Sequence, residues 1–120
     1  MHSVIETPTY LAQAKRVGVS EAELEEIALL VATDPEGGAV MAGTGGARKL
    51  RHAGRGHGKS GGYRTIHYFG GRDVPVFLLA IYGKGEKANL TKGERNELAV
   101  VLPLLAAEYR RPTKRTGETP

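Results

Sequence analysis

The chain has 120 residues, no cysteine, and 17 Lys or Arg against 13 Asp or Glu, for a net charge of +4. That length suits one domain with a sizeable core and no covalent staples, while the lack of cysteine excludes disulfides and thiolate metal sites and fits a reducing compartment. No charged leader precedes an apolar run, and no stretch approaches the roughly 20 apolar residues of a membrane span, so a soluble, cytoplasmic protein with no membrane partner is expected.

In chain order, Val4 and Ile5 open a short β-prone piece. Thr7 and Pro8 then supply an N-cap and a first-turn proline for a helix running to about Lys15. Ser20 and Glu23 form a capping box for a second helix, with Leu24, Ile27, Ala28 and Val31 at helical spacing and Glu21, Glu25 and Glu26 facing outward. Asp34-Pro35 ends it. From residue 39 the period changes to that of strands: Val40-Met41, Ala47–His52, Gly62–Phe69 and the most apolar, Val74–Tyr82, with glycine-rich turns at 53–61 and at Gly70-Gly71. Short connections between successive strands predict an antiparallel sheet. Thr91 and Glu94 form a second capping box, opening a last helix with Leu98, Val101, Leu102, Leu105 and Tyr109 on one face; Pro103 should kink or break it. The expected architecture is α+β, a small antiparallel sheet with two N-terminal helices and a C-terminal helix packed on one face and the other face open. One domain over residues 3–109 and a flexible basic tail over 110–120 follow.

The charge is unevenly placed. Residues 1–36 carry a net charge of −5, whereas residues 37–72 hold seven Lys or Arg and no carboxylate. Such a local basic patch concentrates polyanions, nucleic acid being the commonest. Within it, Ala53–Ser60 (AGRGHGKS) has the lysine and hydroxyl spacing of a nucleotide-binding loop. That loop requires a following helix whose N-terminus meets the phosphates, and here Gly61-Gly62 leads into the strand-like YRTIHYF, so flexible turn glycines are the better reading and no cofactor is expected. His2, His52, His57 and His67 lack cysteine partners and only His52 and His57 are close in sequence, which argues against a metal site. The strand cations carry more information. Lys49 and Arg51 are two apart and share a face, with Leu50 on the core side; Arg64 shares its alternation with Ile66 and Tyr68 on the neighbouring strand. Lys49, Arg51 and Arg64, with Lys84 arriving from the end of the next strand, would converge on one face and need an anion such as a phosphodiester among them.

GTGGARKLRHAGRGHGKSGGYRTIHYF, followed by VFLLAIYGKGEKANLT, closely resembles the HigB-like branch of the RelE/ParE toxin superfamily of type II toxin–antitoxin pairs, and with VIETPTY and DPEGGAVMAGTGG the likeness spans about residues 3–109. The resemblance implies a RelE-like fold and a ribosome-dependent endoribonuclease that cuts mRNA in the A site by attack of a 2′-hydroxyl on its own phosphate, with no metal or nucleotide. It also implies a cognate antitoxin, expected to carry a helix-turn-helix. By analogy Arg64 stabilises the phosphate, Lys49 and Arg51 act as base or charge clamp, and Lys84 is the lysine after the last strand; Arg48, Arg55, Lys59 and Lys87 are candidate RNA contacts. Departures occur at Gly85 and Thr91, where the family has an arginine and a late tyrosine, leaving Lys87, Tyr82 or His57 as substitutes. His52 stands where an aromatic is expected and would be a weaker stacking partner. Two other readings share the fold: a ParE-like inhibitor of DNA gyrase, whose relatives generally lack the clustered strand cations, and a non-catalytic RNA- or ribosome-binding module.

Overall fold

In the computed structural model, which describes residues 2–53, 62–83, 85–86 and 90–110, the helix-start signals act where the sequence places them. Thr7 Oγ1 accepts from the Tyr10 amide at 3.3 Å and Pro8 opens α1 (Pro8–Val17). The helix stops at Gly18, whose φ of +90° is the left-handed conformation a C-terminal cap requires. Ser20 and Glu23 exchange side-chain-to-amide bonds of 3.1 and 2.9 Å at the start of α2 (Glu21–Thr33). Thr91 and Glu94 do the same, at 3.1 and 2.8 Å, before the last helix, α3 (Lys92–Arg110).

Between α2 and α3 the chain forms β2 (Ala39–Val40), β3 (Ala47–His52), β4 (Tyr63–Phe69) and β5 (Val76–Gly83), and β1 (Val4–Glu6) precedes α1. The sheet order is β1-β5-β4-β3-β2. All pairings are antiparallel except β1 with β5, which is parallel. The antiparallel expectation therefore holds for four strands, and the β-prone start joins as a fifth, made parallel by the return of the chain through α1 and α2.

Both faces of the sheet are covered, which corrects the expectation of one open face. Tyr10, Ala14, Ile27 and Val31 of α1 and α2 pack with Val76, Leu78 and Ile81 on one side. On the other, Leu102 and Ala106 of α3 pack with Met41, Ala47, Ile66, Tyr68 and Phe77. The reason is visible in the strands: Ala47, Ile66, Tyr68 and Phe77 are apolar on the second face and must be removed from water, at about 25 cal/mol per Å². The cover is partial, since it lies over the Ala47–Tyr68–Phe77 end of that face. Its helix continues through Pro103 rather than breaking, on a stretch where Pro103 and Ala99 are both exposed. Val101, expected on the buried stripe, is exposed, and Ala106 takes its place.

The far ends of α3 are pinned by arginine. Arg95 donates to the Ala42 carbonyl at 2.9 Å, and Arg110 donates to both Asp73 carboxylate oxygens, at 2.6 and 3.1 Å, and to the Gly70 carbonyl. A methyl at Gly45 would stand 3.0 Å from the Ala99 Cα, so the β2–β3 turn needs glycine there to admit α3. Fully buried Thr44 organises that turn, donating to the Met41 carbonyl at 2.7 Å and accepting from the Ala47 amide at 2.9 Å. Thr44→Val keeps the shape and orphans both groups; chemical denaturation should show a loss of about 1–3 kcal/mol.

Candidate nucleic-acid interface

Strand alternation decides which cations can meet. On β3, Ala47 packs under α3 and Leu50 packs with the α1–α2 layer, so Lys49 and Arg51 lie on the α3 side and Arg48 and His52 on the other. On β4, Ile66 and Tyr68 pack under α3, which places Arg64 on that same side. The register sets Arg51 directly opposite Arg64, Arg64 directly opposite Tyr82, and Lys49 opposite Ile66. Directly paired residues have Cβ atoms about 4.5–5.5 Å apart, so Arg51, Arg64 and Tyr82 make one transverse row and Lys49 stands one step along.

Arg51 and Arg64 lie outside the cluster that α3 covers, while Tyr82 packs at its edge. Like charges directly opposite each other destabilise a sheet, and neither Arg51 nor Arg64 has a hydrogen-bond or ion-pair partner among the described residues. Arg51 is exposed and Arg64 half-buried, so at least one guanidinium is freely presented to solvent. Two planar forks side by side suit the oxygens of one phosphate.

Tyr82 reaches this face through an irregularity. The pairing steps from Ile66–Ala80 to His67–Leu78, leaving Leu79 as an extra residue in β5. Strict alternation from Val76 and Leu78 would turn Tyr82 towards α1; the bulge turns it towards Arg64 and returns Ile81 to the α1–α2 core. Its phenol is raised above the usual tyrosine range by burial first, then by Glu94 and Glu86, so it is neutral near pH 7. The sequence carries no local trace of this, since residues 76–82, VFLLAIY, are apolar throughout.

Other candidates are placed elsewhere. Arg48 faces the α2 side and donates to the Glu36 and Gly38 carbonyls at 2.8 and 3.2 Å, bracing the loop between α2 and β2. His52 is the last residue of β3, buried at 8% exposure beneath the helical layer, with Nε2 2.8 Å from Thr65 Oγ1, so it does not stack on the cationic face. Burial holds its imidazole down at about 4, and His67 adds to the effect. His67 is wholly buried and donates from Nε2 to the Pro35 carbonyl at 3.0 Å. Its pKa is lowered by burial, against the opposing pull of that bond. Lys84, Lys87, Arg55, Lys59, His57 and the tail from Arg111 lie outside the described residues. The turn after the loop does lead into a strand, β4, as the reading against a nucleotide-binding loop expects. A groove of about 730 Å³ lined by His2, Asp34, Phe69 and Arg72 sits at the opposite end of the sheet from the cationic row. Among the described residues no group of three or more His, Asp or Glu is arranged to hold a metal ion, and no helix is long and apolar enough to cross a membrane.

The molecule is a small α+β domain, a helix-backed mixed sheet with paired arginines beside a tyrosine at one end. Over residues 4–112 the chain matches the family described as RelE toxin of RelE / RelB toxin-antitoxin system. The chain belongs to the RelE toxin family: it is the toxin of a toxin–antitoxin pair, and its partner is an antitoxin.

The buried histidine gives the fold a pH dependence. With His52 at about 4 when folded and near its ordinary 6.5 when unfolded, the unfolded chain binds more protons between those values. Stability is therefore complete above about pH 6.5 and falls as the pH drops towards 4, by roughly 3 kcal/mol at most. Denaturation midpoints measured from pH 7 to 4.5 should decline, and His52→Gln should flatten the slope.

Proposed function

We propose that this toxin is a ribosome-dependent endoribonuclease of the HigB-like branch that cuts mRNA in the A site, and so acts in the cytoplasm. The observation that supports the reading best is Arg51 directly opposite Arg64, on the same side of the sheet as Lys49. In the proposed reaction the RNA 2′-oxygen attacks the adjacent phosphorus and loses its proton, and the bond from phosphorus to the 5′-oxygen breaks. The leaving oxygen takes up a proton, and the products are a 2′,3′-cyclic phosphate and a 5′-hydroxyl. The nucleophile is the substrate's own, so the protein has to hold the nucleotide in line, stabilise the charge that grows on the phosphoryl oxygens and move two protons; neither a metal nor a nucleotide is required.

Arg64, at the centre of the row, is assigned to the phosphoryl oxygens. Lys49 and Arg51 clamp the phosphate or take the 2′-proton, and Lys84 completes the cationic group. Tyr82, beside Arg64, offers a ring face to a neighbouring base, as single-strand sites commonly do. Arg55, Lys59 and Lys87 are assigned to the flanking RNA backbone. Arg48 is left out, because its guanidinium already serves two carbonyls. The antitoxin is proposed to carry a helix-turn-helix, which the neighbouring reading frame would reveal.

Induced expression should arrest growth and leave cuts inside translated codons. Removing a donor aimed at developing charge typically costs 10²–10³ in rate, so Arg64→Ala should slow cleavage by about that factor and restore growth, with Arg51→Ala weaker. Toxin treated with EDTA and then dialysed free of it should cut mRNA on programmed ribosomes at the untreated rate. Arrest with intact mRNA and gyrase-dependent DNA breaks would replace this reading by the gyrase one, and a folded wild type that does not arrest growth would favour a non-catalytic RNA-binding module.

A further inference from the structure

β5 outlasts its neighbour. β1 pairs with Val76, Phe77 and Leu78 only, so from Leu79 to Gly83 the outer edge of β5 has no strand beside it. Two backbone donors on that edge are met by side chains instead. The Ile81 amide donates to Gln13 Oε1 of α1 at 3.0 Å, and the Gly83 amide donates to Glu86 Oε1 at 2.7 Å. The second oxygen of the same carboxylate, Oε2, receives Arg16 of α1 at 2.7 Å. Glu86 therefore ties the last residue of β5 both to the turn that follows it and to the helix beside it. Gly83 is buried, and a methyl there would stand 3.1 Å from Val17 Cγ1, so α1 is already packed closely against this point. A buried amide in such a place needs its acceptor. The Glu86 carboxyl is held below the usual carboxylate range, by Arg16 first and by the Gly83 amide next, so it stays ionised near neutrality.

Between the two tethered amides stands Tyr82, whose side chain projects to the opposite face beside Arg64. The bulge at Leu79 turns Tyr82 to that face, and because β1 pairs no further than Leu78 the strand end has no ladder bonds on its outer edge, so it can twist. We infer that Glu86 is a positioning residue of the cationic site: by accepting from the Gly83 amide it fixes the end of β5, and with it the placement of Tyr82 against the Arg51–Arg64 pair, Arg16 being a secondary support of the carboxylate. The inference rests on the nuclease reading above and adds a residue that never touches RNA. Misplacement of a reacting group by about 1 Å costs on the order of 10²-fold, so the effect belongs in the chemical step rather than in ribosome binding.

The two functions of the carboxylate are separable. Glu86→Gln keeps an oxygen for the Gly83 amide and gives up the charge on Arg16; Glu86→Ala gives up both. With purified full-length toxin on mRNA-programmed ribosomes, Glu86→Ala should lower kcat by roughly 10–100-fold and leave KM for the ribosome within about twofold, while Glu86→Gln and Arg16→Ala should stay within a few-fold of wild type. Amide hydrogen exchange at Gly83 should accelerate in Glu86→Ala and remain slow in Glu86→Gln. If Glu86→Ala destabilises the fold too far to assay, Glu86→Gln and Arg16→Ala still decide: each keeps an acceptor for the Gly83 amide, so a loss of kcat of about tenfold or more in either overturns the inference. A Glu86→Ala protein that cuts at the wild-type rate, or that changes only its melting temperature, overturns the inference while leaving the nuclease reading intact. A wild type that leaves mRNA uncut overturns both.

Discussion

Arg51 can stand opposite Arg64 only because the register of β3 against β4 is held from elsewhere. A slip of one residue would send Lys49 and Arg51 into the α1–α2 core and bring Leu50 to the surface. What prevents it is apolar. Leu50 has to reach the layer of Ile27 and Val31, and Ala47, Ile66 and Tyr68 have to reach α3. The two packed faces pull on alternate residues of the same strands, so each cluster checks the other. Repulsion between the exposed Arg51 and the half-buried Arg64 is small beside the burial of these side chains, at roughly 1.5–3 kcal/mol for each large one. Packing thus imposes a charge arrangement that electrostatics alone would not choose, and an anion can relieve it.

The partial cover by α3 follows from the same alternation. Along the second face the strands are apolar at one end, where Ala47, Tyr68 and Phe77 pair across, and cationic at the other, where Arg51 pairs with Arg64. A helix with one buried stripe settles on the apolar half and stops. Gly45 and Gly70 allow it to approach the turns closely, and Arg95 and Arg110 fasten it at either end. The site is accordingly a boundary, with a dry edge under Ile66 and a wet edge at Arg51.

Local signals in the sequence were sufficient for some elements and silent on others. β3 was readable at its observed limits, Ala47–His52, since the Gly45-Gly46 turn and the ARKLRH alternation are both local, and the two capping boxes placed α2 and α3 because a cap is a contact over three residues. The grouping of Lys49, Arg51 and Arg64 was readable from parity. The cover by α3 depends on contacts between segments far apart in the chain, from Phe77 back to Met41 on one side and Leu102 and Ala106 on the other. Its trace was present all the same: Ile66 and Tyr68 share the parity of Arg64, and a face left open to water has no use for them. Arg48 illustrates a different difficulty. It is as basic as its neighbours, but its face and its two carbonyl partners depend on where the loop at Glu36 and Gly38 folds back. His52 was misread for the same reason, because whether a terminal strand residue is buried depends on what lies over it.

The charge asymmetry of the chain becomes a spatial one in the fold. α2, with Glu21, Glu25 and Glu26 exposed, lies on the side of the sheet away from Arg51 and Arg64. A helix is about 10–12 Å across, so its outer carboxylates are separated from the cations by more than that, whereas the Debye length at physiological salt is about 8 Å. The acidic layer therefore does not neutralise the cationic row. For the RNA substrate proposed above it acts instead on orientation: a polyanion is repelled from the acidic helix and drawn to the cationic row, so that encounters are biased towards that face before any specific contact forms. The acidic surface that looks, in the sequence, like a counterweight to the basic segment is in the fold a means of presenting it.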